Sequence, residues 1–243
     1  MRRNMCRRRR NVEGTPTEVN MLISEQLYLL LTRATGTKEP SASMRAYGLA
    51  AGVITDLVAA GKITLSDEKR PRVNIVDAAP TGNAVLDFGL AALQKRDGRR
   101  LEEVITSSKL DPTDVVANSL IQQGILAEGD RTFFGLGKPR TPEVNPIPEQ
   151  QLRARLAQVL AGTQAPTAAD ATVLVTLQGL GAAKQVLRDD IQGMSGGDLK
   201  RRIKEVMADA PTGDAVERAI AAVNSAVMIA VMVPAIAAAS VSG

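Results

Sequence analysis

The sequence predicts a mainly α-helical protein: a helical bundle around a buried apolar C-terminal helix, with two short β-hairpins. Three observations predict it. Apolar residues recur at helical spacing through most of the 243 residues, interrupted by glycines placed to stop helices. Twice, at residues 48–86 and 115–138, a helical stretch ends in glycine and two short alternating stretches follow. Residues 219–239 carry no charge and are mostly Ala, Val, Ile and Met.

Taken in order, residues 23–33 read as a helix with Leu27, Leu30 and Leu31 on one face and Ser24 near its start. Residues 35–43 form a polar loop, and residues 44–60 a helix ended by Gly61 as its C′ glycine. In residues 62–66 and 72–77, Ile63 and Leu65, then Val73 and Ile75, alternate with polar neighbours, giving a hairpin around a five-residue turn. Residues 83–95 are helical up to Asp97-Gly98, residues 101–107 form a short helix, and Pro112 suits N1 of a helix reaching Gln123. Residues 125–137 form the second hairpin, followed by a link with Pro139, Pro142, Pro146 and Pro148. Helices over 149–160, 168–189, 198–208 and 214 to about 239 complete the chain, with Gly179-Leu180-Gly181 in mid-helix for close packing. Ala79-Pro80-Thr81-Gly82 and Ala210-Pro211-Thr212-Gly213 are two uses of one helix-entry turn. The last helix is long enough to cross a bilayer. Its alanine content, Asn224, Ser225 and Pro234 favour a core helix instead.

The chain has no His and no Trp, and only 2% aromatic residues, so the core is aliphatic and the commonest general base and zinc ligand are missing. One cysteine, Cys6, allows no intramolecular disulfide and fits a reducing, cytoplasmic compartment. The first twenty residues hold six of the 30 basic residues and two of the 26 acidic ones, so the net charge of +4 belongs to this arm and the rest is neutral. Without an apolar h-region the arm is no secretory signal, and its composition predicts disorder. It reads either as a solvated extension, with Met21 as an alternative start, or as an electrostatic arm for anionic lipid or nucleic acid. Residues 21–241 read as one domain.

No catalytic constellation emerges. Gly193-Met194-Ser195-Gly196-Gly197 matches the G-x-S-x-G string but joins two helices and has no His partner, so Ser195 reads as a loop or N-cap residue. Asp189-Asp190 reads as a solvated helix end. No cofactor and no metal is expected.

Several segments carry a family resemblance. They are Leu27-Tyr28-Leu29-Leu30-Leu31, residues 56–65 (DLVAAGKITL), Ala79-Pro80-Thr81-Gly82 with Leu86-Asp87, residues 120–126 (LIQQGIL) and Phe133-Phe134. Their order and spacing resemble the Golgi phosphoprotein 3 family, and the compact bacterial members more than the eukaryotic Golgi proteins. The resemblance implies a mostly helical domain around a buried apolar helix. It also implies a non-enzymatic peripheral membrane protein or sorting adaptor that binds phosphatidylinositol 4-phosphate through a basic pocket beside an apolar hairpin. The pocket's Trp falls near Ser41, its first Arg near Ala50 and its other two Arg near Leu110 and Thr113, so none is retained. Arg45 and Lys109 are the nearest cations to stand in for them at a lipid head group. Phe133, Phe134, Leu136 and Lys138 fall on the family's apolar hairpin segment, which implies a membrane or self-association contact.

The partners expected are therefore an anionic phospholipid or membrane surface, at the inner face of the cell membrane, and a second copy bound through the second hairpin. The helix–hairpin units also describe winged helices that bind nucleic acid, but residues 48–60 and 112–123 hold no cation, which argues against DNA. A protein-interaction scaffold without lipid contact is the third reading.

Overall fold

The computed structural model describes residues 21–130, 139–191, 193–211 and 214–239. The Arg-rich arm and the segment holding Phe133, Phe134, Leu136 and Lys138 lie outside the described residues. In chain order the elements are α1 (Ile23–Leu30), α2 (Arg45–Ala59), β1 (Ile63–Leu65), β2 (Val73–Ile75), α3 (Ala84–Gln94) and α4 (Leu101–Ile105). A 3-10 turn (Ser108–Leu110) precedes α5 (Thr113–Gln122), α6 (Ile147–Ala161), α7 (Ala168–Gly179), α8 (Ala183–Val186), α9 (Gly196–Asp209) and α10 (Asp214–Ala239). The fold is mainly α with one two-stranded antiparallel sheet among the described residues.

Two helices hold the centre. In α2, Gly48 to Thr55, Leu57 and Val58 are buried, and in α7 burial runs from Asp170 through Leu177. α1 and α10 cover α2, while α10 and α9 cover α7. α10 buries Ala219, Ile220, Val223, Ala226, Val227 and Ala230, leaving Met228, Ile229 and Met232 38–57% exposed. It thus works as a one-faced core helix, and no helix among the described residues is long and apolar enough to cross a membrane. Its small buried residues allow the close approach that a mostly aliphatic core needs.

The N-terminus of α1 is held from a distance. Asp56 Oδ1 on α2 accepts the N–H of Ile23 at 3.3 Å, and Glu25 Oε2 accepts the N–H of Leu22 at 2.9 Å. Glu25 is only 3% exposed, and its other oxygen accepts from Ser119 Oγ and Gln123 Nε2, each at 2.7 Å, tying α1 to α5. α1 can lie this close to α2 because of Gly52: a Cβ there would sit 2.7 Å from the backbone nitrogen of Ser24.

The first hairpin forms as its alternation predicts, with Ile63 opposite Ile75 and Leu65 opposite Val73, and Ile63 and Val73 fully buried. The second-half helices differ in one place. The helix expected over 168–189 ends at Gly179, because Gly181 takes the left-handed conformation (φ +70°) and reverses the chain into α8. Pro112 caps α5 one residue before its first turn, while Pro148 takes the early-helix position in α6. Ser195 is the N-cap of α9: its Oγ accepts the N–H of Asp198 at 3.1 Å.

Candidate functional site

The second hairpin is built differently from the sequence expectation. Its first arm runs from Leu126 to Asp130. Its return arm lies in the stretch read as a proline-rich link: Leu126 bridges Glu143, Ala127 N–H donates to Pro142 O and Gly129 N–H to Arg140 O, both at 2.9 Å. Pro142 fits because only its carbonyl is needed. The missing N–H of Pro142 obscured this pairing in the sequence, where it reads as a strand breaker. The arms carry the chain into and out of residues 131–138.

This return arm is stitched to the rest of the fold. Glu143 N–H donates to Ala34 O at 2.9 Å, and the Thr141 hydroxyl bonds the Tyr28 hydroxyl at 2.9 Å, both groups being buried. Arg45 belongs to the same knot. Its guanidinium lies 4.8 Å from the Tyr28 ring centroid, and Nη1 donates to Thr32 Oγ1 at 2.7 Å. Arg45 opens α2, whose first turn has no acidic residue and no side-chain cap, so that end of the helix is electropositive. Lys38, whose ammonium donates to Ser43 O at 3.3 Å, adds charge nearby in sequence.

Lys109 sits elsewhere, exposed on the 3-10 turn, which packs on α3. At the positions where the resemblance places the pocket's arginines, the described residues carry no cation. Ala50 is 0% and Leu110 1% exposed, so both are core positions. Thr113 is engaged with Asp111 Oδ1 through its hydroxyl and N–H, and the Ser41 hydroxyl is buried with no partner. Arg45 and Lys109 therefore do not reproduce a converging set of guanidiniums.

Two concavities were not legible in the sequence. A cavity of about 510 Å³ lies between the first hairpin and α10, with Val58, Ile63, Leu65, Ala222 and Ala226 among its lining. Arg218 Nη1 donates to both Asp67 carboxylate oxygens at its edge, at 2.8 and 3.0 Å, and Arg70 pairs with Glu102 at 2.7 Å. Contacts 151 residues apart leave no local signal. A second cleft of about 280 Å³ lies beside the return arm, lined by Arg33, Glu39, Glu143, Glu149 and Arg153. Burial and the Glu149 charge hold the Glu143 carboxyl above its usual range, and burial does the same for Glu149.

Among the described residues no cluster of His, Cys, Asp or Glu could hold a metal ion. Fold and site together define a mainly helical protein whose polar clusters join elements of the fold. A family model for Golgi phosphoprotein 3 (GPP34) matches residues 23–223, and the chain belongs to that family. The family is not one of enzymes. A comparison with curated proteins gives no match.

Proposed function

We propose that the protein is a non-enzymatic peripheral membrane protein or adaptor that meets an anionic membrane surface through its second hairpin. The observation that carries this reading is the family match over residues 23–223. Residues 131–138 (RTFFGLGK) support it: Phe133, Phe134 and Leu136 supply apolar contact, and Lys138 and Arg140 supply cations next to it. The same apolar tip serves self-association. Because Ala50 and Leu110 are buried in the core, the reading assigns affinity to charge and apolar contact, not to a selective phosphatidylinositol 4-phosphate pocket. Lys109 then contributes as a separate surface cation, while Arg45 is held by Thr32 and Tyr28, and the bound state lies at the inner face of the cell membrane.

Liposome co-sedimentation tests this reading. The full chain sediments with anionic vesicles at low salt, and Phe133→Ser/Phe134→Ser abolishes sedimentation, while Lys109→Ala weakens it only modestly. Vesicles with and without phosphatidylinositol 4-phosphate at equal charge give the same binding. No sedimentation with any anionic vesicle at low salt overturns the reading, and loss only on removing residues 1–20 relocates the contact to the Arg-rich arm.

A further inference from the structure

We propose that Glu143 and Glu149 form an acid-closed latch that fastens the return arm of the second hairpin to α6 and opens as pH rises. Two carboxyl groups bond one guanidinium there, and a third lines the same cleft. Arg153 Nε donates to Glu149 Oε1 at 2.7 Å, and its Nη1 donates to Asp190 Oδ2 at 2.8 Å and to Val186 O at 3.0 Å. The guanidinium is thus committed to α6 and to the segment after α8. Glu143 approaches from the return arm, where its Oε1 is buried and no donor reaches it. The remaining charges facing the cleft, Arg33 and Glu39 on the α1–α2 connection, pair with each other at 3.4 Å. The Arg153 charge still acts on Glu143, but more weakly than burial and the Glu149 charge, and the hydrogen bonds of Arg153 go to Glu149, Asp190 and Val186.

A partly buried carboxylate beside another carboxylate, with the nearby guanidinium bonded to other groups, is costly, and a shared proton lowers the cost. Glu143 holds that proton and donates to the Glu149 carboxylate, a hydrogen bond that favours protonation of Glu143 and ionisation of Glu149. The proton crosses from the return arm to α6, so it joins two elements. In the open state Glu143 returns toward its ordinary 4.5 and releases the proton. The closed state therefore binds more protons, and its advantage is complete below 4.5 and lost as pH climbs through the elevated value.

The latch concerns the base of the hairpin and stands whether or not the tip meets a membrane. Any effect on membrane docking rests on the reading above. Hydrogen exchange on the full chain tests the latch directly. Protection factors of the Ala127, Gly129 and Glu143 amides, referenced to α2 amides, fall about tenfold or more between about pH 5 and about pH 8. Glu143→Gln keeps a neutral donor in place, so its protection stays high and pH-independent. Protection independent of pH in the wild-type chain, or a wild-type pH profile in Glu143→Gln, overturns the latch. A carbonyl-carbon NMR titration of the wild-type chain is the second readout: a Glu143 midpoint at or below 4.5 overturns it as well. Sedimentation measured in parallel separates the two ideas, since pH-independent protection with normal sedimentation refutes the latch alone, and the expected pH profile without sedimentation refutes membrane docking alone.

Discussion

Asp56 shows how one side chain couples packing to pH. Burial pushes its carboxyl up to about 7, and the Glu25 charge adds to the rise, while the N–H groups of Ile23 and Ser24 oppose it. A folded value above the unfolded one means that stability is complete at acid pH and declines as pH rises from about 4 through about 7. Asp56→Asn keeps an acceptor for Ile23 N–H and removes the titration. Denaturation of the two chains at about pH 5 and about pH 8 should show the variant gaining stability relative to wild type at the higher pH. A constant difference would refute the assignment. Arg45 makes a second residue-level test. Its bond to Thr32 and its position over Tyr28 are structural, so Arg45→Ala should lower stability by about 1–2 kcal/mol in urea, with or without lipid. A change in vesicle affinity without a change in stability would instead assign it to a head group.

At the scale of elements, close helix approach rests on small residues, and two glycines of α2 separate hard from soft contacts. A Cβ at Gly52 meets the backbone of Ser24 at 2.7 and 2.9 Å, whereas one at Gly48 meets only the tip of the Leu180 side chain. Gly52→Ala should cost about 1–2 kcal/mol, and Gly48→Ala should stay within about 0.5 kcal/mol of wild type, helped by its better helix propensity. Equal thermal shifts for both would show that α1 yields as readily as a side chain. The helices and the first hairpin were legible because their signals are local: Gly61 ends α2, Ser195 caps α9, and Ile63 and Leu65 alternate. What escaped depends on distant partners or on one ambiguous residue. Gly181 breaks a run whose apolar spacing is helical on both sides. Pro142 joins a bridge through its carbonyl, and a carboxylate such as Glu25 is buried only because α5 brings Ser119 and Gln123 to it. The candidate hairpin was found through its aromatic pair, while the groups that set its base, Tyr28, Thr141, Glu143 and Arg153, carry no shared sequence signal.

Across the whole molecule, one apolar cluster includes residues from every helix between α1 and α10. Against that core the surface ion pair joining α10 to the first hairpin matters little. Arg218 and Asp67 are 59% and 77% exposed, so a double-mutant cycle with alanine at both should give a coupling below about 1 kcal/mol. A larger coupling would make the pair a true clasp over the cavity beside it. The tie between Glu25 and α5 has a different consequence, which concerns synthesis. Ser119 is made 94 residues after Glu25. At ribosomal rates of about 5–20 residues per second, α1 waits some 5–20 s for the partner that satisfies its buried carboxylate. During that interval Leu27, Leu29, Leu30 and Leu31, none more than 2% exposed in the finished fold, lack the cover that α5, α6 and α7 add to that of α2. The nascent chain therefore exposes part of the α1 leucine cluster for seconds, a window in which chaperones can bind it and aggregation competes with folding.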